Sequence, residues 1–348
     1  MTFQEPRTPR AEDIPAILDL FQAAFHRSFS ARHYAWKLAT RPTPADRATV
    51  VFGDDGRAAF HLGGVPCRAR IQGAERWVMI AVDGMTSPAS RRQGLLSTHL
   101  PRLFGYWKDA GVSLVLGLPN QQWGSRTRAL GWRPLSPLSW LVLPLAPERL
   151  VARRVGVPAI GRLSFVSSAW RRRWAGRVPA DLAIADARSA PADLDDLWQQ
   201  AGGALPFSIA RDRAWVSWRY LESPDVRYEL LIARRADRVC GYAAYRVHDW
   251  GVSRSAVIAE VWTAPDDRDA FDALGRTVLD RLASNGVDVV RTLAVPGSIP
   301  FERWRALGFF RSRHSFDVEH VRLDESIDSA ALENPAGCWM MAGDFDVV

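Results

Sequence analysis

The chain has 348 residues, 47% of them hydrophobic and 24% charged. Those are globular proportions in a length that exceeds one ordinary core, so two domains are expected. It has no run of about 18 apolar residues, no apolar signal core near Met1, and no disulfide or metal spacing among Cys67, Cys240 and Cys338, so the expectation is an intracellular, cytoplasmic protein with no metal. The net charge of +7 is local: eight arginines and no carboxylate lie between Arg149 and Pro179, leaving the remainder near neutral. That distribution argues against a nucleic-acid surface spread over the protein.

Ile14, Ile17, Leu18, Phe21 and Phe25 recur at helical spacing, and Tyr34 to Leu38 continues helical until Pro42. Ala48 to Phe52 reads as a strand, followed by the turn Asp54-Asp55-Gly56. Ala58 to Leu62 and Cys67 to Ile71 read as two more strands, with Gly63-Gly64 and Gln72-Gly73 as turns. Trp77 to Val82 is apolar and partly β-branched, a buried strand that Pro88 terminates. A basic turn, Arg91-Arg92-Gln93-Gly94, leads into a helix with Leu95, Leu96, Leu100, Leu103, Phe104 and Trp107 on one face. The strand Ser113 to Leu118, the short helix Arg126 to Leu130 closed by Gly131, and the strand Trp140 to Leu143 complete the first half.

A strand, a basic turn with a glycine and a helix N-terminus make an anion site. The first-turn N–H groups lack intrahelical partners, and the helix dipole adds positive charge there. Gly94 permits close backbone approach, and Arg91 and Arg92 supply charge. The alternative is an ordinary strand-to-helix turn with solvated arginines. Arg91-x-x-Gly94, three residues after Pro88, resembles the acyl-CoA diphosphate loop of the GNAT superfamily of N-acetyltransferases, written Arg/Gln-x-x-Gly-x-Gly/Ala. Leu96 stands where that pattern has Gly or Ala. The resemblance extends in order over about the first 145 residues and implies a mixed, mostly antiparallel sheet flanked by helices. It also implies that the strand Trp77 to Ser87 splays from Ser113 to Leu118 to admit the pantetheine arm.

The second half echoes the first. Arg128-Ala-Leu-Gly131-Trp132 recurs as Arg305-Ala-Leu-Gly308-Phe309, a shift of 177 that also carries Asp83 onto Glu260, Thr86 onto Thr263, Pro88 onto Pro265, Arg91 onto Arg268 and Pro119 onto Pro296. Trp36 with Pro42 is echoed by Trp218 with Pro224. The expectation is an α/β (α+β) protein of two tandem GNAT-like domains: 1–148, a basic linker 149–180, and a degenerate copy 181–348. At the second loop Phe271 replaces the glycine, and Asp266, Asp267, Asp269 and Asp272 surround Arg268. Carboxylates would repel a diphosphate, so only the first copy should take CoA.

The resemblance implies direct attack of an amine on an acyl-CoA thioester, acetyl-CoA being the expected co-substrate. It assigns the diphosphate to Arg91, Arg92, Gln93, Gly94, Leu95 and Leu96, and the pantetheine amides and oxyanion to the backbone at Met85 and Thr86. It makes Asp83 a candidate base and Asn120 a candidate for holding water or the thiol. The residues alone also allow a strand kink with a structural hydrogen bond at Asp83-Gly84. The tyrosine that many relatives place four residues before the closing glycine is replaced by Thr127. The expected acceptor is a small amine or amino sugar, the fifteen tryptophans suggesting an aromatic wall. A membrane-surface contact through 165–177 and a C-terminal carboxylate reaching the active site are minor expectations. Two alternatives remain: a non-catalytic CoA-binding or assembly protein, and an aminoacyl-tRNA-dependent transferase of the peptidoglycan-bridge type.

Overall fold

The computed structural model describes residues 2–39, 43–119, 126–157, 161, 167–168, 178–250 and 253–345. They form two compact units, one of Met1–Ser136, Glu222–Val226 and Asp317–Glu333, the other of Pro137–Leu221, Arg227–Phe316 and Asn334–Val348.

In the first unit, α1 (Ile14–Phe25) and α2 (Ala31–Leu38) precede β1 (Ala48–Phe52), β2 (Ala58–Ile71) and β3 (Ala74–Thr86). Next come α3 (Leu95–Asp109), β4 (Val112–Gly117) and α4 (Arg126–Ala129). β1, β2 and β3 pair antiparallel, β3 and β4 pair parallel, and β12 (Phe310–Arg322) closes the sheet antiparallel to β4 from Glu319 to Arg322. The apolar face of α3 supplies the core: Leu95, Leu100, Leu103, Phe104 and Trp107 are buried against Phe60, Leu62, Met79 and Val115. A helix with such a stripe gains most of its stability from this burial, about 25 cal/mol per Å² of apolar surface.

The expected turn at Gly63-Gly64 is instead the middle of one continuous strand, β2. These glycines serve close approach: a Cβ on Gly64 would stand 2.7 Å from the Trp107 ring.

The second unit holds β5 (Arg133–Pro144) from Pro137 onward, α5 (Pro147–Val155), β6 (Leu182–Asp186), β7 (Phe207–Ile209), β8 (Glu229–Arg235), β9 (Arg238–Trp250), β10 (Ser253–Thr263), β11 (Val289–Ala294) and β13 (Cys338–Trp339). β6, β8, β9 and β10 pair antiparallel in that order, β10 and β11 pair parallel, and β5 closes antiparallel to β11. β13 pairs parallel with β7. The run β8-β9-β10-β11-β5 thus repeats the pairing senses of β1-β2-β3-β4-β12.

The expected boundaries at 148 and 181 therefore shift. β5 is longer than Trp140 to Leu143 and pairs with β11 from Ser139 to Pro144, which draws it into the second unit. Residues 317–333 join the first. The start of the expected linker is the helix α5, fixed by Arg149 and Arg153 on the Asp288 carboxylate at 3.0 and 2.5 Å. Of the expected membrane-contact stretch 165–177, all but residues 167–168 lies outside the described residues. Among the described residues, no helix is long and apolar enough to cross a membrane.

Candidate active site

β3 and β4 pair from Trp77/Val112 to Ile80/Leu116, and β3 then runs on to Thr86 with no further β4 partner among the described residues. The open edge of β3 supplies backbone N–H and C=O groups. Below it Ser87 turns the chain, its N–H donating to the Ala59 carbonyl at 2.8 Å and its hydroxyl accepting from Ser90 N–H at 3.2 Å. The loop then alternates hands: Arg92 has φ +65 and Gly94 φ +81, after which α3 begins at Leu95. Successive backbone N–H groups in such a turn converge on a concavity suited to an anion. Gly94, as the N-cap residue, has no side chain to satisfy the first-turn donors.

A cavity of about 780 Å³ opens at this point, lined by Phe25, Phe60, Gly84, Met85, Thr86, Ser90, Arg91, Arg92, Gly94, Leu95, Leu96, Ser97 and Leu130, with Ala24 and Ala129. Met85, Thr86, Arg91, Arg92, Gly94, Leu95 and Leu96 of the expected site are therefore brought together. Gln93 is not among the lining residues; its amide donates to the Ala89 carbonyl at 3.3 Å. Leu96 packs partly on the core beside α3 as well as lining the cavity. Cationic side chains, an uncapped helix start and an open strand edge fit an extended anionic co-substrate with amide groups, such as acyl-CoA.

Asp83 is not among the lining residues. Its carboxylate is bonded by Lys37 Nζ at 3.1 and 3.2 Å, with the two side chains 6% and 3% exposed. Asn120 and Trp123 lie outside the described residues, and Thr127 is buried in α4. Trp132, Trp262 and Trp304 are core residues, so they form no aromatic wall for an acceptor.

Sequence reasoning missed a second layer behind Asp83. His61 Nδ1 lies 3.0 Å from the Asp83 carbonyl, and Tyr34 Oη 3.1 Å from His61 Nε2. A carbonyl only accepts, so Nδ1 carries the proton and Nε2 accepts from the tyrosine. Burial holds His61 below the ordinary imidazole pKa, so the ring is neutral, and pushes the Tyr34 phenol up. The only sequence signal for this layer is apolar context around three polar residues.

The corresponding places of the second unit are filled. The helix Arg268–Ser284 is capped by Asp267, whose carboxylate accepts from Ala270 N–H at 3.0 Å and from Arg235 at 2.6 Å. Phe271 is fully buried, its ring 5.2 Å from Trp304 and 6.1 Å from Trp339. β10 and β11 pair only from Ser255/Val289 to Val257/Arg291. Beside that separation, Ala294 bridges Met341, and the chain from Cys338 to Phe345 is buried.

Arg211, wholly buried, donates through Nε to Glu260 at 2.9 Å and through Nη2 to both Asp344 oxygens at 2.8 and 2.7 Å. Tyr220 and Tyr242 donate to Glu260 at 2.9 and 2.6 Å, and Arg219 holds the Gly343 and Phe345 carbonyls. Burial pushes Asp344 up to about 6, while its two carboxylate neighbours hold Arg211 above its ordinary value. For Asp344, burial and the neighbouring Glu260 charge outweigh the attraction of Arg211; for Arg211, burial is outweighed by the attraction of the two carboxylates. The C-terminal residues 346–348 lie outside the described residues.

A mostly antiparallel sheet flanked by helices, with a parallel pair separating above a glycine-bearing helix start, defines the GNAT acetyltransferase fold. The acetyltransferase (GNAT) domain family matches residues 5–135 of the chain. A GCN5-related N-acetyltransferase of Anabaena variabilis superposes with a TM-score of 0.67 at 12% identity, over 93% of this chain and 73% of that one. A conserved protein of unknown function from Enterococcus faecalis, described as a probable N-acyltransferase, gives 0.65 at 12% identity over 93% and 73%. Eis1 of Mycobacterium abscessus gives 0.59 at 17% over 92% and 74%. At such identities the solved structures share the fold. No curated protein matches the chain in sequence. The GNAT domain supports an acyl-transfer function in general terms.

Proposed function

We propose that the chain is an N-acetyltransferase that moves an acyl group from acyl-CoA to the amine of a small acceptor, and that its second unit is a diverged copy of the first. The observation that carries this reading is the cavity at the start of α3, where Arg91, Arg92 and the Leu95–Ser97 backbone meet the open edge of β3 at Gly84–Thr86. The co-substrate supplies an activated carbonyl on a thiolate leaving group. Arg91 and Arg92 neutralise its diphosphate, the loop amides cradle it, and the β3 edge pairs with the pantetheine amides as an added strand would. A backbone N–H at Gly84 or Met85 polarises the carbonyl. The amine lone pair forms the C–N bond as the C–S bond breaks. The thiolate leaves with the sulfur electrons, and the amine proton passes to water, since the described lining residues include no carboxylate, imidazole or phenol.

That same lining supports a second reading, a CoA-binding protein without turnover. Calorimetry with acetyl-CoA and a thiol-release assay over an amine panel separate the two. Arg91→Glu should weaken acetyl-CoA by about tenfold or more, on the order of 1.5–3 kcal/mol for a charge-assisted bond, while Arg268→Glu leaves it unchanged. Absence of acetyl-CoA binding by the unaltered protein sinks both readings.

A further inference from the structure

We infer that Lys37, His61 and Tyr34 are positioning residues that brace a bulge at Asp83–Met85, and that the Asp83 carboxylate belongs to this brace instead of abstracting a proton. The inference rests on the proposed acyl-CoA reading and deepens it.

Between the pairs Gly63/Val82 and His61/Met85, β3 carries one residue more than β2. The extra residue leaves the ladder locally, and Asp83 adopts the left-handed region at φ +52. That conformation is unfavourable for a residue with a side chain and persists only where its surroundings over-determine it. The surroundings here grip Asp83 at both ends. Lys37 holds the carboxylate, and His61, itself anchored by Tyr34, holds the carbonyl. The next residues, Gly84 and Met85, are the ones that line the cavity. Their backbone direction is set by the residue before them, so a fixed Asp83 fixes the donors aimed at the thioester carbonyl.

Both Asp83 carboxylate oxygens are bonded to Lys37 Nζ, and the residue does not line the cavity, so the carboxylate is not placed to take a proton from an amine bound there. The second unit supplies an independent comparison. Glu260, which the shift of 177 aligns with Asp83, also sits at a register shift, between Ile258 and Glu260. Its carboxylate is held by Arg211, Tyr220 and Tyr242 in a unit whose anion loop is filled. A buried, cation-held carboxylate at this position therefore goes with the strand irregularity, with or without a site beside it.

The test compares Asp83→Asn, Asp83→Ala and His61→Leu with the unaltered protein, using acetyl-CoA carrying carbon-13 at the thioester carbonyl. Calorimetry gives affinities for acetyl-CoA and CoA, and difference infrared spectroscopy gives the carbonyl stretch of the bound thioester. The unaltered protein should lower that stretch relative to free acetyl-CoA. Asn keeps a hydrogen bond to Lys37 and should retain most of the shift, although it cannot act as a base. Ala and Leu should lose at least half of it, with CoA affinity changed by less than about threefold. His61→Leu carries the test if Asp83→Ala does not fold, since it leaves the ion pair intact. The inference is overturned if Ala and Leu keep the full shift, if Asn loses it with Ala, or if the unaltered protein binds acetyl-CoA without a shift. Absence of acetyl-CoA binding instead overturns the underlying functional reading.

Discussion

Truncating Asp344 to Ala should strongly destabilise the second unit. Its carboxylate accepts three hydrogen bonds, two from Arg211 Nη2, one on each oxygen, and one from Met341 N–H at 2.8 Å. Removing it leaves a wholly buried guanidinium with Glu260 as its remaining carboxylate. Breaking a buried pair costs about 3–5 kcal/mol, and the retained Glu260 places this case near 3. For a unit of this size that corresponds to roughly 6–12 °C in melting temperature. Urea unfolding followed by circular dichroism, with calorimetry to resolve the two units, measures it. A loss below about 1 kcal/mol would refute the idea that the C-terminal segment is locked by this cluster. The pH dependence gives a second check through Asp344→Asn. The pKa near 6 is above the unfolded carboxylate value, so protonation favours folding. That contribution is complete below the unfolded value and disappears as pH rises through about 6. The unaltered protein should therefore gain stability relative to Asp344→Asn between about pH 7 and about pH 4.5.

Three further outcomes follow from local geometry. Gly64→Ala places a methyl 2.7 Å from the Trp107 ring, which cannot withdraw because its Nε1 donates to the Asp46 carbonyl at 2.8 Å; denaturant unfolding should show a loss of about 1–3 kcal/mol. Gly94→Ala meets nothing closer than Ser97 Oγ at 3.8 Å, so only the left-handed φ is penalised; urea titration should find about 1–2 kcal/mol. Asp267→Ala removes the cap of the helix Arg268–Ser284 and its bonds from Arg235, costing about 1–2 kcal/mol by thermal unfolding. It should not confer acetyl-CoA binding in calorimetry, since the Phe271 ring still fills the site.

The parts of the fold legible in the sequence are those set by neighbours along the chain. The apolar stripe from Leu95 to Trp107 marks α3, and the Arg91–Gly94 turn marks its start, because periodicity and a glycine's backbone freedom are local properties. Gly63-Gly64 misleads for a complementary reason: a glycine required by a ring 43 positions away looks the same as one required by a turn. The extent of β5 depends on β11, and the roles of Lys37 and His61 depend on a strand kink that brings distant residues to one carbonyl. Asp83 itself was legible as important, with both a catalytic and a structural explanation open; its bonds to Lys37 favour the structural one. The cluster of Arg211, Glu260 and Asp344 joins three positions far apart in sequence, and no spacing rule anticipates it.

The exchange of closing strands bears on how the molecule is made. β4 finds its antiparallel neighbour only at Glu319–Arg322, about 200 residues later in synthesis. At roughly 5–20 residues per second the nascent N-terminal sheet waits on the order of 10–40 s with an unpaired edge. A gene cut between the halves should consequently yield two polypeptides that stay soluble only when produced together.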